Sequence, residues 1–197
     1  MTATRKPMGA VNKANALTMV RILLIPVFVV FVLSNIHYGA AWAIAAFSIA
    51  SITDILDGYV ARSRNQVTTI GKVLDPVADK MLISAALISL VGLDRLAAWV
   101  AMVIIAREFA VSALRVVAVD QGVIIPASNL AKGKTISQIV AIIILLWPHG
   151  DLWFGPLVQW IAIAVMLAYT LLSGIQYASR SRDVLRAPPP PSGEPAG

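Results

Sequence analysis

Six apolar segments, at about 17–34, 40–61, 74–92, 97–119, 134–148 and 155–178, take up most of the chain and are parted by short polar connections. Several approach the roughly 20 residues that an α-helix needs to cross a bilayer core. A backbone in hydrocarbon must satisfy its own hydrogen bonds, and no alternating strand pattern is present, so the segments are predicted to be helices. Composition points the same way. Of 197 residues, 58% are hydrophobic and 13% charged, about half the charged share usual in a soluble domain. The expected class is an all-α membrane protein with six transmembrane helices, and a soluble globular enzyme is excluded.

The predicted organisation is an N-terminal segment at 1–16, a six-helix domain at 17–180 and a tail at 181–197. Pro26 is expected to kink the first helix. Thr2–Gly9 is basic but has no compact apolar core followed by a small-residue cleavage site, so it does not read as a signal peptide. Pro188 to Pro191 stand in a row, which excludes helix and core there and predicts disorder. With no cysteine, disulfides and thiolate metal sites are excluded.

The cations set the orientation. Arg5, Lys6, Lys13, Arg21, Arg62, Arg64, Lys72, Lys80, Arg115, Lys132, Lys134, Arg180, Arg182 and Arg186 all fall at one set of segment ends. The opposite connections hold only Arg95, and Arg107 lies within the fourth segment. The positive-inside rule therefore places both termini and the long loops in the cytoplasm. Trp42, Trp99, Trp147, Trp153 and Trp160 gather near the other ends, as an outer aromatic belt would. The net charge of +6 follows from this loop bias, and no nucleic-acid partner is expected.

Ten acidic residues are present, and four of them crowd into Asp54–Asp79. Asp54, Asp57, Gly58 and Ala61 are spaced i, i+3, i+4, i+7, which is one helical face. Gly71, Asp75 and Asp79 repeat at i+4 on the next helix, and the short link Ser63–Ile70 predicts antiparallel neighbours whose faces oppose. Four converging carboxylates repel one another. Hard oxygen ligands of this kind suit Mg²⁺, Mn²⁺ or Ca²⁺. Salt bridges to Arg62, Arg64, Lys72 or Lys80 would explain a lone Asp better than four on two stripes, because acids at membrane depth are costly and usually functional. Gly58, Ala61 and Gly71 have two readings: close helix packing, or a flat ligand against bare backbone.

These residues spell a signature. Asp54-x2-Asp57-Gly58-x2-Ala61-Arg62-x8-Gly71-x3-Asp75-x3-Asp79 resembles, at all eight fixed positions, the motif of the CDP-alcohol phosphotransferases. The resemblance implies a six-helix membrane enzyme with its active site in a cytoplasm-facing cavity, usually a homodimer, in a bacterial-type cell membrane. It implies transfer of a phosphatidyl or similar group from a CDP-linked donor to an alcohol, with release of CMP. Carried over by position, Asp54, Asp57 and Asp75 would be ligands of two Mg²⁺ or Mn²⁺ ions, and Asp79 a ligand and the general base. Asp54, Asp57, Gly58, Ala61, Arg62, Gly71 and Lys72 would receive the CDP-lipid. Two cations bridging a pyrophosphate and a nearby carboxylate accepting a hydroxyl proton are sound chemistry for this transfer.

The acceptor is suggested elsewhere. Asn15-x2-Thr18-x2-Arg21 and Lys132-Gly133-Lys134-Thr135-x2-Gln138 resemble the branch of the family that joins CDP-diacylglycerol to sn-glycerol 3-phosphate. A dianionic acceptor needs cations, and Arg107 sits in the otherwise apolar run Ile104–Phe109. Adjacent helix positions point about 100° apart, so a pair between Arg107 and Glu108 is disfavoured and an anionic ligand is expected instead. Arg115, two turns on and roughly on the same face, together with Lys132 and Lys134, is expected to complete a phosphate nest with Arg107, Thr18 and Arg21; the two lysines also fit as topology residues. Inositol phosphate or phosphatidylglycerol are alternative acceptors. A divalent-cation transporter is the alternative from another class, and the outer loops offer it no matching acids beyond Asp94 and Asp151.

Overall fold

The computed structural model describes residues 13–34, 36–64, 69–120, 129–148 and 155–186. Six helices follow one another: α1 (Lys13–Leu33), α2 (Gly39–Arg64), α3 (Thr69–Gly92), α4 (Ala98–Asp120), α5 (Asn129–Leu146) and α6 (Pro156–Arg186). No strand occurs among the described residues. The six apolar segments thus correspond to six helices, most of which outrun them. Helix α1 begins within the expected N-terminal segment. Helix α5 opens at Asn129 rather than 134, because a polar first turn costs a helix little once the apolar part has nucleated it. The expected boundary at 180 is also passed, since α6 continues to Arg186. Pro188–Pro191, Trp153 and the stretch Thr2–Gly9 lie outside the described residues.

Pro26 lies inside α1, which stays helical through it; the ring removes the hydrogen bond that its nitrogen would give to the Ile22 carbonyl. The helix begins its reversal at Ser34. Tyr38 adopts a left-handed φ of 61°, an uncommon conformation for a bulky residue. Gly39 follows, and a Cβ there would stand 2.9 Å from the Phe31 carbonyl oxygen, so a side chain would press the α2 start off the α1 end. Asp94, just past the α3 end, also has a left-handed φ, 57°, which a short polar side chain tolerates. Pro156 opens α6 at a position where its missing N–H costs no bond.

The chain divides into two units, Met1–Leu93 with Leu146–Pro148, and Asp94–Leu145 with His149–Gly197. In the first, α1 packs along both α2 and α3, and these two touch each other only sparsely. Arg21, Ile25, Phe28 and Val32 form the buried stripe of α1 at helical spacing. Opposite, α2 buries Ala43, Ala46 and Ala50 beside Phe47, small residues that let backbones approach closely, and α3 buries Leu82, Ile83, Leu87 and Leu90 along with Ala78 and Ala86. Phe28 and Phe47 meet with ring centroids 5.8 Å apart.

In the second unit, α4 packs on α6. The buried positions of α4 are Val100, Ala101, Ile104, Val111 and Ala118, and those of α6 are Met166, Thr170, Ser173 and Tyr177. On α5 they are Lys134, Gln138, Ala141, Ile142 and Leu145. Arg95 donates from Nη1 to the Leu145 carbonyl at 3.1 Å, satisfying one of the carbonyls that the α5 terminus leaves open.

The outer surface is strongly apolar. Leu23, Val30, Ile88, Met102, Val116 and Ile175 are all large and exposed. Trp42, Trp99 and Trp160 stand in the opening turns of α2, α4 and α6, Trp147 just past α5, and all four are exposed. Among the described residues one helix stretch, Pro156–Ser179, is long and apolar enough by itself to cross a membrane, with a mean hydropathy of 1.8. Met19–Leu33, Gly39–Thr53 and Lys80–Gly92 are shorter apolar stretches.

Candidate active site

Two groups of candidate residues emerge, one in each unit. The first is carried by backbone placement. Asp54, Asp57, Gly58, Ala61 and Arg62 lie in the uninterrupted helix α2, and Gly71, Lys72, Asp75 and Asp79 in α3. Helical spacing therefore keeps each set on one side of its helix. Their side chains lie outside the described residues, as does that of Thr18 on α1. Arg21 is fully buried on the α1 stripe. Among the described residues no group of three or more His, Asp or Glu could hold a metal.

The second group can be built atom by atom. Glu108 Oε1 accepts from Lys134 Nζ at 2.6 Å and from Arg107 Nη1 at 3.1 Å. Arg107 Nη2 donates to Ser173 Oγ at 2.8 Å, and that hydroxyl in turn donates to the Tyr169 carbonyl at 2.6 Å. The side chains of Arg107, Glu108 and Lys134 are only 11%, 13% and 10% exposed. Two glycines make room. A Cβ on Gly174 would stand 3.3 Å from Arg107 Cγ, so the arginine stem lies over bare α6 backbone. A Cβ on Gly133 would stand 2.7 Å from Tyr169 Cε1, which explains the glycine between Lys132 and Lys134.

Two expectations need correction here. The Arg107–Glu108 pair does form, although the residues are adjacent. The long arginine reaches across to α6 and turns one nitrogen back, and Lys134 draws the same carboxylate oxygen. Arg115 does not share the Arg107 face: eight residues are about 2.2 turns, which rotates it by roughly 80°, and it is exposed. Lys132 is exposed as well, whereas Lys134, two positions on, is buried. No local pattern marks Ser173 or Gly174, whereas the third residue of the cluster, Glu108, stands out by itself. Its available signal was the acid itself, since Glu108 lies in the middle of an apolar helix and needed a cation of its own.

The cluster has unmet donors. Arg107 Nε and Gln138 Nε2 are buried with no hydrogen-bond partner among the described residues. Gln138 is 1% exposed and lies one turn beyond Lys134 on the same face of α5. Among the described residues one carboxylate stands against two cations here, a net positive charge. A half-buried excess of donors and positive charge is an arrangement that favours an oxygen anion. A separate cavity of about 520 Å³, lined by Leu96, Trp99, Val100, Trp160, Ile163 and Leu167 among others, holds none of these residues.

Comparison with known proteins gives this chemistry a family. The chain is 41% identical over 193 residues to the CDP-diacylglycerol–glycerol-3-phosphate 3-phosphatidyltransferase of Bacillus subtilis, covering 89% of this chain and 97% of the relative. It is 39% identical over 181 residues to a probable phosphatidylglycerophosphate synthase of Mycobacterium tuberculosis, covering 88% and 83%. A Rickettsia felis protein with the same name as the Bacillus one is 38% identical over 172 residues, covering 84% and 93%. Residues 11–172, which include both groups of candidates apart from Ser173 and Gly174, match the family described as CDP-alcohol phosphatidyltransferase, and the chain belongs to that family.

Proposed function

We propose that this enzyme transfers the phosphatidyl group of CDP-diacylglycerol to sn-glycerol 3-phosphate, forming phosphatidylglycerophosphate and CMP in phospholipid biosynthesis. The observation that carries the acceptor is the burial of two cations, Arg107 and Lys134, around one carboxylate in otherwise apolar helices. The names of its relatives point to the same donor and acceptor.

In this reading the acceptor's phosphate sits on Arg107 and Lys134. Its free hydroxyl gives its proton to Asp79 and attacks the phosphorus that carries the diacylglycerol. The bond to the bridging pyrophosphate oxygen breaks, and CMP departs. Gly58, Ala61, Arg62, Gly71 and Lys72 hold the CDP moiety, with Arg62 offering a planar fork to phosphate oxygens. The family generally uses divalent metals, and the all-oxygen donor set of Asp54, Asp57, Asp75 and Asp79 fits two Mg²⁺ or Mn²⁺ ions. Bound there, such ions supply polarisation of the attacked phosphorus and neutralise the charge on CMP. Thr18 and Arg21 are proposed to complete the acceptor side, and the exposed Arg115 and Lys132 act as outer attraction for an anion.

The same reading takes all six helices across the bacterial-type inner or plasma membrane, with both termini and the active site cytoplasmic, in a homodimer. The exposed apolar faces of every helix and the tryptophans at one set of helix ends support it. A panel of alcohols incubated with purified enzyme, CDP-diacylglycerol and Mg²⁺ tests the reaction. Glycerol 3-phosphate should give lipid product and stoichiometric CMP. Product from inositol phosphate or phosphatidylglycerol, with none from glycerol 3-phosphate, would replace the acceptor.

A further inference from the structure

We propose that Glu108 is a positioning residue for the acceptor: its carboxylate holds Arg107 of α4 and Lys134 of α5 in the one arrangement that receives the acceptor's phosphate. The inference deepens the acceptor reading above and rests on it. Both cations stand on long, rotatable stems, and nothing in an apolar helix face by itself would make them converge. Glu108 Oε1 is the atom they share, at 3.1 and 2.6 Å. Arg107 is fixed a second time by Ser173 Oγ at 2.8 Å and by the bare backbone of Gly174 beneath its stem. These contacts leave Arg107 Nε without a partner, and Gln138 Nε2 is buried without one a turn from Lys134. Both of these buried groups, unpartnered among the described residues, are donors, and a phosphate ester brings acceptors.

Glu108 carries the wrong sign to touch an anion usefully, so its role is to act through the two cations. That gives the proposal a distinctive consequence. Removing the negative charge makes the cluster more positive, and on electrostatics alone an anionic acceptor would then bind better. A positioning role predicts the reverse.

The test uses the full-length enzyme in detergent–lipid micelles, with separate titrations of glycerol 3-phosphate and CDP-diacylglycerol. Glu108→Gln should raise the KM for glycerol 3-phosphate about tenfold or more, the loss expected when a charge-assisted contact is no longer held in place. The KM for CDP-diacylglycerol should stay within about twofold and kcat within about threefold of wild type. Glu108→Asp, which keeps the charge on a shorter stem, should recover part of the acceptor KM. An acceptor KM that is unchanged or lowered in Glu108→Gln overturns the proposal, and so does an equal rise for both substrates. If Glu108→Gln does not fold, Ser173→Ala decides. It removes only the second support of Arg107 and should raise the acceptor KM about threefold, and no change would overturn the proposal. Wild-type enzyme that ignores glycerol 3-phosphate but uses inositol phosphate would fail the acceptor reading instead, and the same KM split would then be read on that acceptor.

Discussion

The carboxylates carried by α2 and α3 and the cation cluster of α4, α5 and α6 both interrupt apolar helices, yet they are encoded in opposite ways. The first is written in 26 consecutive residues on two successive helices. The 3.6-residue period alone puts each helix's share of it on one side of that helix. The second joins Glu108 to a lysine 26 residues away and Arg107 to a serine 66 residues away. No local spacing encodes it, and it exists only once three helices have packed. In the proposed reading, reactive chemistry falls to the locally encoded motif and acceptor choice to the tertiary arrangement.

The largest effect should come from breaking the local motif. Asp54→Asn, Asp57→Asn or Asp75→Asn should each bring CMP release to assay background with the protein still inserted, and near-normal turnover by two of them at ordinary Mg²⁺ would undo the metal assignment. Asp79→Asn should lower kcat by roughly 10²–10⁴, the usual contribution of a general base, with donor affinity little changed. Breaking the tertiary cluster should cost less and fall on one substrate. Arg107→Ala should raise the KM for glycerol 3-phosphate roughly 10–150-fold, equivalent to about 1.5–3 kcal/mol, and Arg107→Lys should recover only part, because a point charge lacks the fork.

Smaller effects sharpen the contrast. Gly133→Ala puts a methyl group 2.7 Å from the Tyr169 ring, and overpacking of this kind costs about 1–3 kcal/mol. A lower Tm in detergent is expected, with relief when Tyr169→Ala is added. The smallest effect is expected of Arg115→Ala and Lys132→Ala, since exposed charges contribute about 1 kcal/mol or less. Their acceptor KM should shift little, and mostly at low salt. A large, salt-insensitive rise would return both residues to the phosphate site.

The same contrast explains what the sequence disclosed. Helix number and approximate bounds were legible because apolar runs and polar links alternate at bilayer length. The termini were not, because α5 and α6 extend through polar turns that no hydropathy pattern marks. The Asp motif was legible from spacing. Arg107 was legible as an anomaly, but its partner was misjudged by considering α4 alone, where neighbours diverge. The third helix changed the answer, since Lys134 and Ser173 set where both side chains go. Arg115 was misplaced by rounding eight residues to two turns.

The adjacency of Arg107 and Glu108 has a consequence for how the chain is made. In the proposed membrane setting α4 leaves the ribosome well ahead of its partners. Ser173 follows Arg107 by 66 residues, which at about 5–20 residues per second is a delay of roughly 3–13 s. An arginine alone at mid-helix would spend that interval as an uncompensated cation, a serious obstacle to lateral release into lipid. Glu108 is synthesised in the same instant, so the two residues together bring no net charge into the nascent helix, even before α5 and α6 fix their side chains. The arriving α5 and α6 then supply Lys134 and Ser173, and with them the arrangement seen in the folded protein.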